Sequence, residues 1–238
     1  ALRSLPHTAY ILHRRRYRES SLLLDCLSAE YGRVGVIAKG AARPKKRAMA
    51  PLQAFQRFTM SWVGRGELHT LVDYDAAGTP LALDGTHLYS GFYANELVMR
   101  LTGRDDPNAD VFAAYEQTLH KLGHAECPVE PTLRSFEKAL LDACGYGLQL
   151  ATDVESGAAI DAGTNYHYVV EQGPMLNPST YRGITVSGAT LLALDGRGEF
   201  EPARWPDAKR LMRFVLHHYI GDRPLASRTL FRAPGNRD

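Results

Sequence analysis

From Thr8 to Asp75 apolar and polar positions alternate in short runs, TAYILH, SLLLDCLS, RVGVIAKG, AFQRFTMSWV and ELHTLVDYD, rich in Val, Ile, Leu, Tyr and Phe. Turn formers such as Tyr31-Gly32-Arg33 and Gly64-Arg65-Gly66 separate them. A period of two interrupted in this way predicts a small antiparallel barrel, and five strands within about 70 residues meet the requirement of an OB-fold. After Pro80 the period lengthens to about 3.6. One helix places Leu88, Phe92 and Met99 on a stripe and stops at Gly103. A second starts near Asp106-Pro107 and carries Val111, Tyr115, Leu119 and Leu122 to Gly123. A third, from Pro131-Thr132, buries Leu133, Phe136, Leu140 and Cys144 before Gly145, and a fourth, after Trp205-Pro206, turns Leu211, Val215 and Tyr219 inward and ends at Gly221. Between the last two, YHYVVE alternates as a strand does, GPM reads as a turn, and VSGATLLALD as a short helix opened by Ser187 or Gly188.

The expected fold is therefore α+β: an N-terminal OB-fold β-barrel at 1–80, then a mainly α-helical domain at 81–238 with a small irregular β-containing insert at about 150–200. At 238 residues, 45% hydrophobic and 23% charged, the composition is that of an ordinary globular chain. Three cysteines without a CxxC spacing suggest neither a disulfide framework nor a tetrathiolate site and fit a reducing cytoplasm. Apolar runs are short and the first twenty residues are arginine-rich, so neither a membrane span nor an export signal is expected.

A net charge of +2 says little, but its distribution says more. Residues 1–80 hold 13 Lys and Arg against 6 Asp and Glu, whereas 81–238 hold 15 against 20. The excess peaks in KGAARPKKR at 39–47, on a glycine- and proline-punctuated connection, with Arg14, Arg15, Arg16, Arg18 and Arg33 on or near neighbouring strands. Because side chains alternate along a strand, Arg14 and Arg16 share a face and Arg15 takes the other. Converging on one side of a barrel, such cations attract phosphate without reading sequence, and binding weakens steeply with salt. A merely solvated loop would explain one cluster; the domain-wide imbalance favours nucleic-acid binding. The candidate DNA-binding set is Arg14, Arg16, Arg33, Lys39, Arg43, Lys45, Lys46, Arg47 and Arg65. Tyr17, Tyr31, Phe55, Phe58 and Trp62 are stacking candidates, most of them better placed in a barrel core.

No enzyme motif stands out. Asp105-Asp106 read as a helix-start pair, His217-His218 lack the i, i+4 relation of a zinc motif, and Gly64-Arg65-Gly66 lacks the rest of a phosphate-cradling loop. Neither GxxxxGK[ST] nor GxSxG occurs. The expected protein is not an enzyme and uses no cofactor. In the helical half, Arg134 and Lys138 lie four residues apart beside an apolar stripe, and Arg210, Arg213 and His217 recur at i, i+3 and i+7. Packed together, such helices would border an apolar groove with cations, a receptor for an acidic peptide ending in a hydrophobic residue and a carboxylate. On the residues alone, snorkelling along a helix flank is the simpler reading.

Several stretches together resemble the bacterial recombination mediator RecO family: RVGVIAKGAARPKKR and GRGELHTL, LYSGFYANEL at 88–97, LRSFEKALLDACGYGLQL at 133–150, and YIGDRPLASRTLFR at 219–232. They span nearly the whole chain in family order. The resemblance implies an OB-fold followed by a helical domain, in an ATP-independent protein that binds single- and double-stranded DNA and anneals complementary strands. It also implies work with the partner RecR and, indirectly, the loading of RecA onto DNA coated with single-stranded DNA-binding protein (SSB), in the bacterial cytoplasm at the nucleoid. On that resemblance Lys39, Arg43, Lys45, Lys46 and Arg47 match the family's basic DNA-contacting surface. Arg134 matches the arginine that receives the acidic SSB tail, with Lys138, Arg210 and Arg213 as further members of that pocket. Many family members carry four zinc-binding cysteines after the GYGL segment; this chain has none between Leu148 and Asp238, so no zinc is expected and packing must hold the insert. The second reading is a general single-strand DNA- or RNA-binding OB adaptor without annealing activity, and a third, resting on Asp105 or Asp106, a metal-dependent nuclease.

Overall fold

The computed structural model describes residues 3–42, 50–176 and 182–232. Strands β1 (His7–Tyr17), β2 (Ser21–Ser28), β3 (Gly32–Ala38), β4 (Arg57–Val63) and β5 (Leu68–Ala76) close into a barrel in the order β1-β2-β3-β5-β4, with β1 pairing β4. In this barrel β3 and β5 run parallel and the other four pairs antiparallel. This is the OB-like barrel that the period-two pattern predicts. Alternate residues fill it: Ala9 and Ile11, Leu24 and Cys26, Val34, Val36 and Ala38, then Phe58, Met60 and Trp62. The intervening side chains face outward, which fixes the register, because a slip of one residue would turn this whole set to solvent.

Strand β1 is longer than the barrel wall. Ile11 pairs with Cys26 and His13 with Asp25, leaving Leu12 in a bulge. The carbonyl of Leu12, freed from the ladder, accepts from Asn95 Nδ2 at 2.8 Å, and Asn95 Oδ1 accepts from the Tyr115 hydroxyl at 2.7 Å. Asn95 lies in α1 (Gly85–Leu101) and Tyr115 in α2 (Ala109–Leu122). Tyr10 adds a hydrogen bond to Glu116 in α2. Both helices are thus pinned to the barrel by buried polar bonds as well as by apolar contact.

Grouped by contacts, the chain forms two compact units, one of residues 1–125 with 225–238 and one of 126–224. The first recovers the C-terminal segment through Glu96, whose carboxylate accepts from Ala226 N, Ser227 N and Ser227 Oγ at 2.7–2.9 Å, opening the 3₁₀ helix Ala226–Arg232. Burial pushes this carboxyl group up, but the hydrogen bonds from Ser227 and Ala226, with Arg100 nearby, bring it below its ordinary range. The second unit packs α3 (Val129–Ala143) against α5 (Trp205–Ile220), with α4 (Gly188–Leu194) and a sheet of β6 (Asn165–Val169), β7 (Gly173–Met175) and β8 (Ile184–Ser187) in the order β7-β6-β8. Ser187 caps α4 by accepting from Thr190 N. The irregular stretch before β6 is held by more than packing: buried Asp153 accepts backbone hydrogen bonds from Glu155, Ser156 and Leu176.

Several expected details differ. The GPM segment is strand β7, hydrogen-bonded to β6, rather than a turn. On α1 the buried face carries Tyr93, Ala94, Asn95, Leu97 and Val98, whereas Phe92 is exposed and Leu88 and Met99 are only half-buried. The face is set by the reach of Asn95 to Leu12 and by Gly91, where a Cβ would stand 2.8 Å from the Phe55 ring. Helix α3 begins two residues early, after Pro128; Cys144 is its half-buried C-cap and Leu141 takes the core place. The cap of α2 is Asn108, not the Asp105-Asp106 pair. Tyr219 is half-buried and stacks on Tyr146 at 4.2 Å.

Two expectations follow. Asn95→Leu leaves the Leu12 carbonyl and Tyr115 hydroxyl buried without this partner, and urea unfolding should register a loss of about 2 kcal/mol or more. Glu96→Gln should cost about 1–2 kcal/mol at pH 7 by weakening charge-assisted bonds. A carboxyl group lowered on folding stabilises above its unfolded value, about 4.3, and loses that contribution as pH falls through the native value, so the difference between wild type and variant should shrink below that pH.

Candidate nucleic-acid interface

Beyond the bulge, β1 runs out of the barrel wall. His13, Arg14, Arg15 and Arg16 are all exposed, and Arg14 and Arg16 pair with Leu24 and Leu22 while Arg15 pairs with Leu23. Arg14 and Arg16 therefore face the side on which Leu24 enters the core, and Arg15 the other. The β1–β2 turn adds exposed Arg18, its guanidinium 5.3 Å from the Tyr17 ring. Leu22 pairs with Ala38, which brings exposed Lys39 to the same end.

The basic connection is anchored to this hairpin at both ends. Ala42 N donates to Ser20 O at 2.9 Å as the connection leaves, and Arg14 Nη1 donates to Leu52 O at 2.8 Å as it returns. Ala41, Ala50 and Leu52 pack on the barrel core. Arg43, Lys45, Lys46 and Arg47 lie outside the described residues. Among the described residues, Arg15, Arg16, Arg18 and Lys39 have no carboxylate within 4.0 Å. Asp25 of β2 is engaged by Arg104 at 2.6 Å, with Arg33 at 3.9 Å and His13 at 4.0 Å, while Glu19 of the β1–β2 turn is exposed beside Arg18.

Arg33 belongs to this internal network rather than to an open surface. It donates to Thr102 O at 2.9 Å, its own carbonyl accepts from Asp105 N at 3.0 Å, and burial lowers its affinity for the proton. Arg65 is exposed in the β4–β5 turn. Since Leu68 pairs with Gly35, that turn lies toward the beginning of β3, away from Lys39. The barrel thus places Arg14, Arg15, Arg16, Arg18 and Lys39 at one end, on both faces of the sheet, and separates Arg33 and Arg65 from them. Arg104, which occupies Asp25 of the hairpin, was not singled out in the sequence because its partner is 79 residues away. Of the aromatic candidates, Phe55, Phe58 and Trp62 are buried, and Tyr17 and Tyr31 are half-exposed.

In the second unit, Arg134 is only 3% exposed and is held by Glu130 and Glu137, so its guanidinium is not at a rim. An arginine between two carboxylates of its own helix can be buried; an isolated one cannot. Lys138 pairs with Asp142 at 2.9 Å, and Arg210 with Asp207 while also donating to Thr185 O. Lys209 reaches Glu130 across the α3–α5 contact. Arg213 is exposed and, among the described residues, without a carboxylate within 4.0 Å. Also among the described residues, no group of three or more His, Cys, Asp or Glu is placed to hold a metal ion, and no helix is long and apolar enough to cross a membrane.

The chain matches two family models, recombination protein O N terminal over residues 4–79 and recombination protein O C terminal over residues 82–229. It is 46% identical to the DNA repair protein RecO of Methylococcus capsulatus over 94% of this chain and 92% of that protein. It is 43% identical to the DNA repair protein RecO of Alkalilimnicola ehrlichii, over 97% and 92%, and 42% identical to that of Nitrosococcus oceani, over 96% and 93%. A basic hairpin on an OB-like barrel, near full-length identity above 40% and both family models place the chain in one group: it belongs to the RecO family of DNA-repair recombination proteins.

Proposed function

We propose that this protein is a recombination mediator that anneals complementary single strands and, together with RecR, helps load RecA onto SSB-coated DNA in the bacterial cytoplasm. The observation that carries the reading is the hairpin end of the barrel, where Arg15, Arg16, Arg18 and Lys39 stand without carboxylate partners among the described residues and both ends of the basic connection are tied down beside them. Annealing needs little chemistry. Neutralising the phosphates of two strands lowers their repulsion, and base pairing supplies the driving force once the base edges are left open. Neither an ATP site nor a catalytic residue is required. In this reading residues 1–80 hold DNA and residues 81–238 hold protein partners, with Arg43, Lys45, Lys46 and Arg47 extending the DNA surface.

For the acidic SSB tail, Arg213 is an exposed cation on α5 without a carboxylate within 4.0 Å among the described residues, and Lys138 and Arg210 join it by giving up intrahelical carboxylates. Arg134 supports α3 from beneath. Gripping a tail brings the annealer to the coated strand at high local concentration, which costs less than displacing SSB by affinity alone.

Single-stranded DNA binding measured across a salt series tests the first part. Each phosphate contact contributes about 0.7 to the slope of log affinity against log salt, so Arg15→Ala, Arg16→Ala and Lys39→Ala combined should flatten it by about 2 and slow annealing of complementary oligonucleotides in parallel. An unchanged slope contradicts the assignment, and binding without any acceleration of annealing favours a general single-strand-binding adaptor. Titration with a peptide copying the SSB tail tests the second part: Arg213→Glu should weaken it about tenfold and leave DNA affinity within twofold. Equal loss of both functions from either set of changes would contradict the division of labour.

A further inference from the structure

At the start of β3, the end away from Lys39, a cleft of about 480 Å³ opens on the barrel, within the range of small-molecule sites, roughly 300–1,000 Å³. Its walls are set by the fold. On one side the Tyr31 ring is wedged against His7 at 4.6 Å and Trp62 at 5.4 Å, and Trp62 in turn lies 6.0 Å from His69 at an interplanar angle of 35°. On the other side Asp105 holds a left-handed backbone, φ 54°, secured by its N–H to Arg33 O. Glycine is required beneath it, since a Cβ at Gly32, itself at φ 67°, would stand 2.1 Å from Asp106 O.

The polar groups around this cleft are few and of mixed sign. Among the described residues the Arg3 guanidinium makes one long contact, 3.4 Å to Ser61 Oγ, which leaves it able to take a phosphate. Asp105 lies 3.8 Å from His69 Nε2, nearly half-exposed, and is an acceptor for N–H groups. A bare phosphate would be repelled by that carboxylate, and a purely apolar ligand would leave it and Arg3 unanswered. A nucleotide answers both: the phosphate at Arg3, the exocyclic amine of a base at Asp105, and the ring face against Tyr31.

We propose that the cleft receives one unstacked base of a bound single strand, with preference for bases carrying an exocyclic amine over thymine. The proposal rests on the DNA-binding reading and extends it. Along β3 the cleft lies about 20 Å from the basic end, a span compatible with the roughly 4–16 nucleotides that one OB-fold covers. The strand would be gripped by its phosphates at the hairpin and registered by one base at the far end. A base so held is withdrawn from pairing, which leaves the intervening bases as those open to a complementary strand.

The test uses the full chain. An oligonucleotide in which every base is 5-iodocytosine is bound, irradiated and mapped by mass spectrometry; adducts are expected at Tyr31, His69 or Trp62. Adducts confined to Tyr17, or none in the barrel, overturn the proposal while leaving phosphate binding intact. Replacing oligo(dC) by an abasic oligonucleotide of equal length should lower affinity about tenfold, and Tyr31→Ala should weaken oligo(dC) toward that value without changing the abasic affinity. Equal affinity for the two oligonucleotides, or for oligo(dC) and oligo(dT), contradicts the proposal or its base preference. Failure of every oligonucleotide to bind would instead sink the nucleic-acid reading on which it stands.

Discussion

The bulge at Leu12 is the constraint from which the rest of the first unit follows. An uninterrupted β1 would keep its alternation past Ile11 and spend the Leu12 carbonyl on the ladder. With the extra residue, that carbonyl turns to Asn95 and fastens α1, and through Tyr115 α2, to the barrel. The same irregularity marks where β1 parts from β4, so that the next four residues, His13 to Arg16, stand exposed on the outer edge of β2, which β3 pairs on its other side. One local departure from regular pairing thus both assembles the unit and presents its cations.

Charge at an exposed edge is useful only if it is not already answered. Here Asp25 and Glu116 are occupied elsewhere, and Glu19 stays exposed in the turn beside the cations. Asp25 is taken by Arg104, with Arg33 and His13 close by, and Glu116 by Tyr10 and Arg57. Arginines of the first unit therefore divide into two populations of different worth. Arg33 and Arg104 are bound into the packing of the 102–105 segment on β3, Arg33 through the Thr102 carbonyl and Arg104 through the partly buried Asp25 carboxylate. Arg15, Arg16 and Arg18 have no carboxylate within 4.0 Å among the described residues and stand exposed to solvent. The second unit shows the same division, with Arg134 buried between carboxylates and Arg213 open.

The strands were legible because each spends its alternate residues on one core; Val34, Val36 and Ala38, or Phe58, Met60 and Trp62, declare a period of two without help. Helices α2 and α5 were legible for the same reason at 3.6, through Val111, Tyr115 and Leu119 or Leu211 and Val215. What escaped depends on partners far along the chain. The inward face of α1 is chosen by a polar residue, Asn95, reaching back 83 positions, and the C-terminal segment returns to the first unit through Glu96 across 130 positions or more. Hydropathy cannot see either bond. The DNA-binding candidates were legible as a cluster, since strand register alone brings Arg14, Arg16 and Lys39 to one end of the barrel, but Arg33 and Arg134 have surroundings that a linear reading cannot supply. Arg134 proves to be buried and Arg33 partly so, each beside acids of its own or another element.

The central claim is that a single strand lies on the hairpin end of the barrel. Backbone amide chemical-shift mapping on addition of single-stranded DNA tests it most directly. The account requires the largest changes at residues 14–20, 39–42 and 50–52, fading as salt is raised. Changes concentrated in residues 126–224, or spread evenly over the barrel and indifferent to salt, would contradict it.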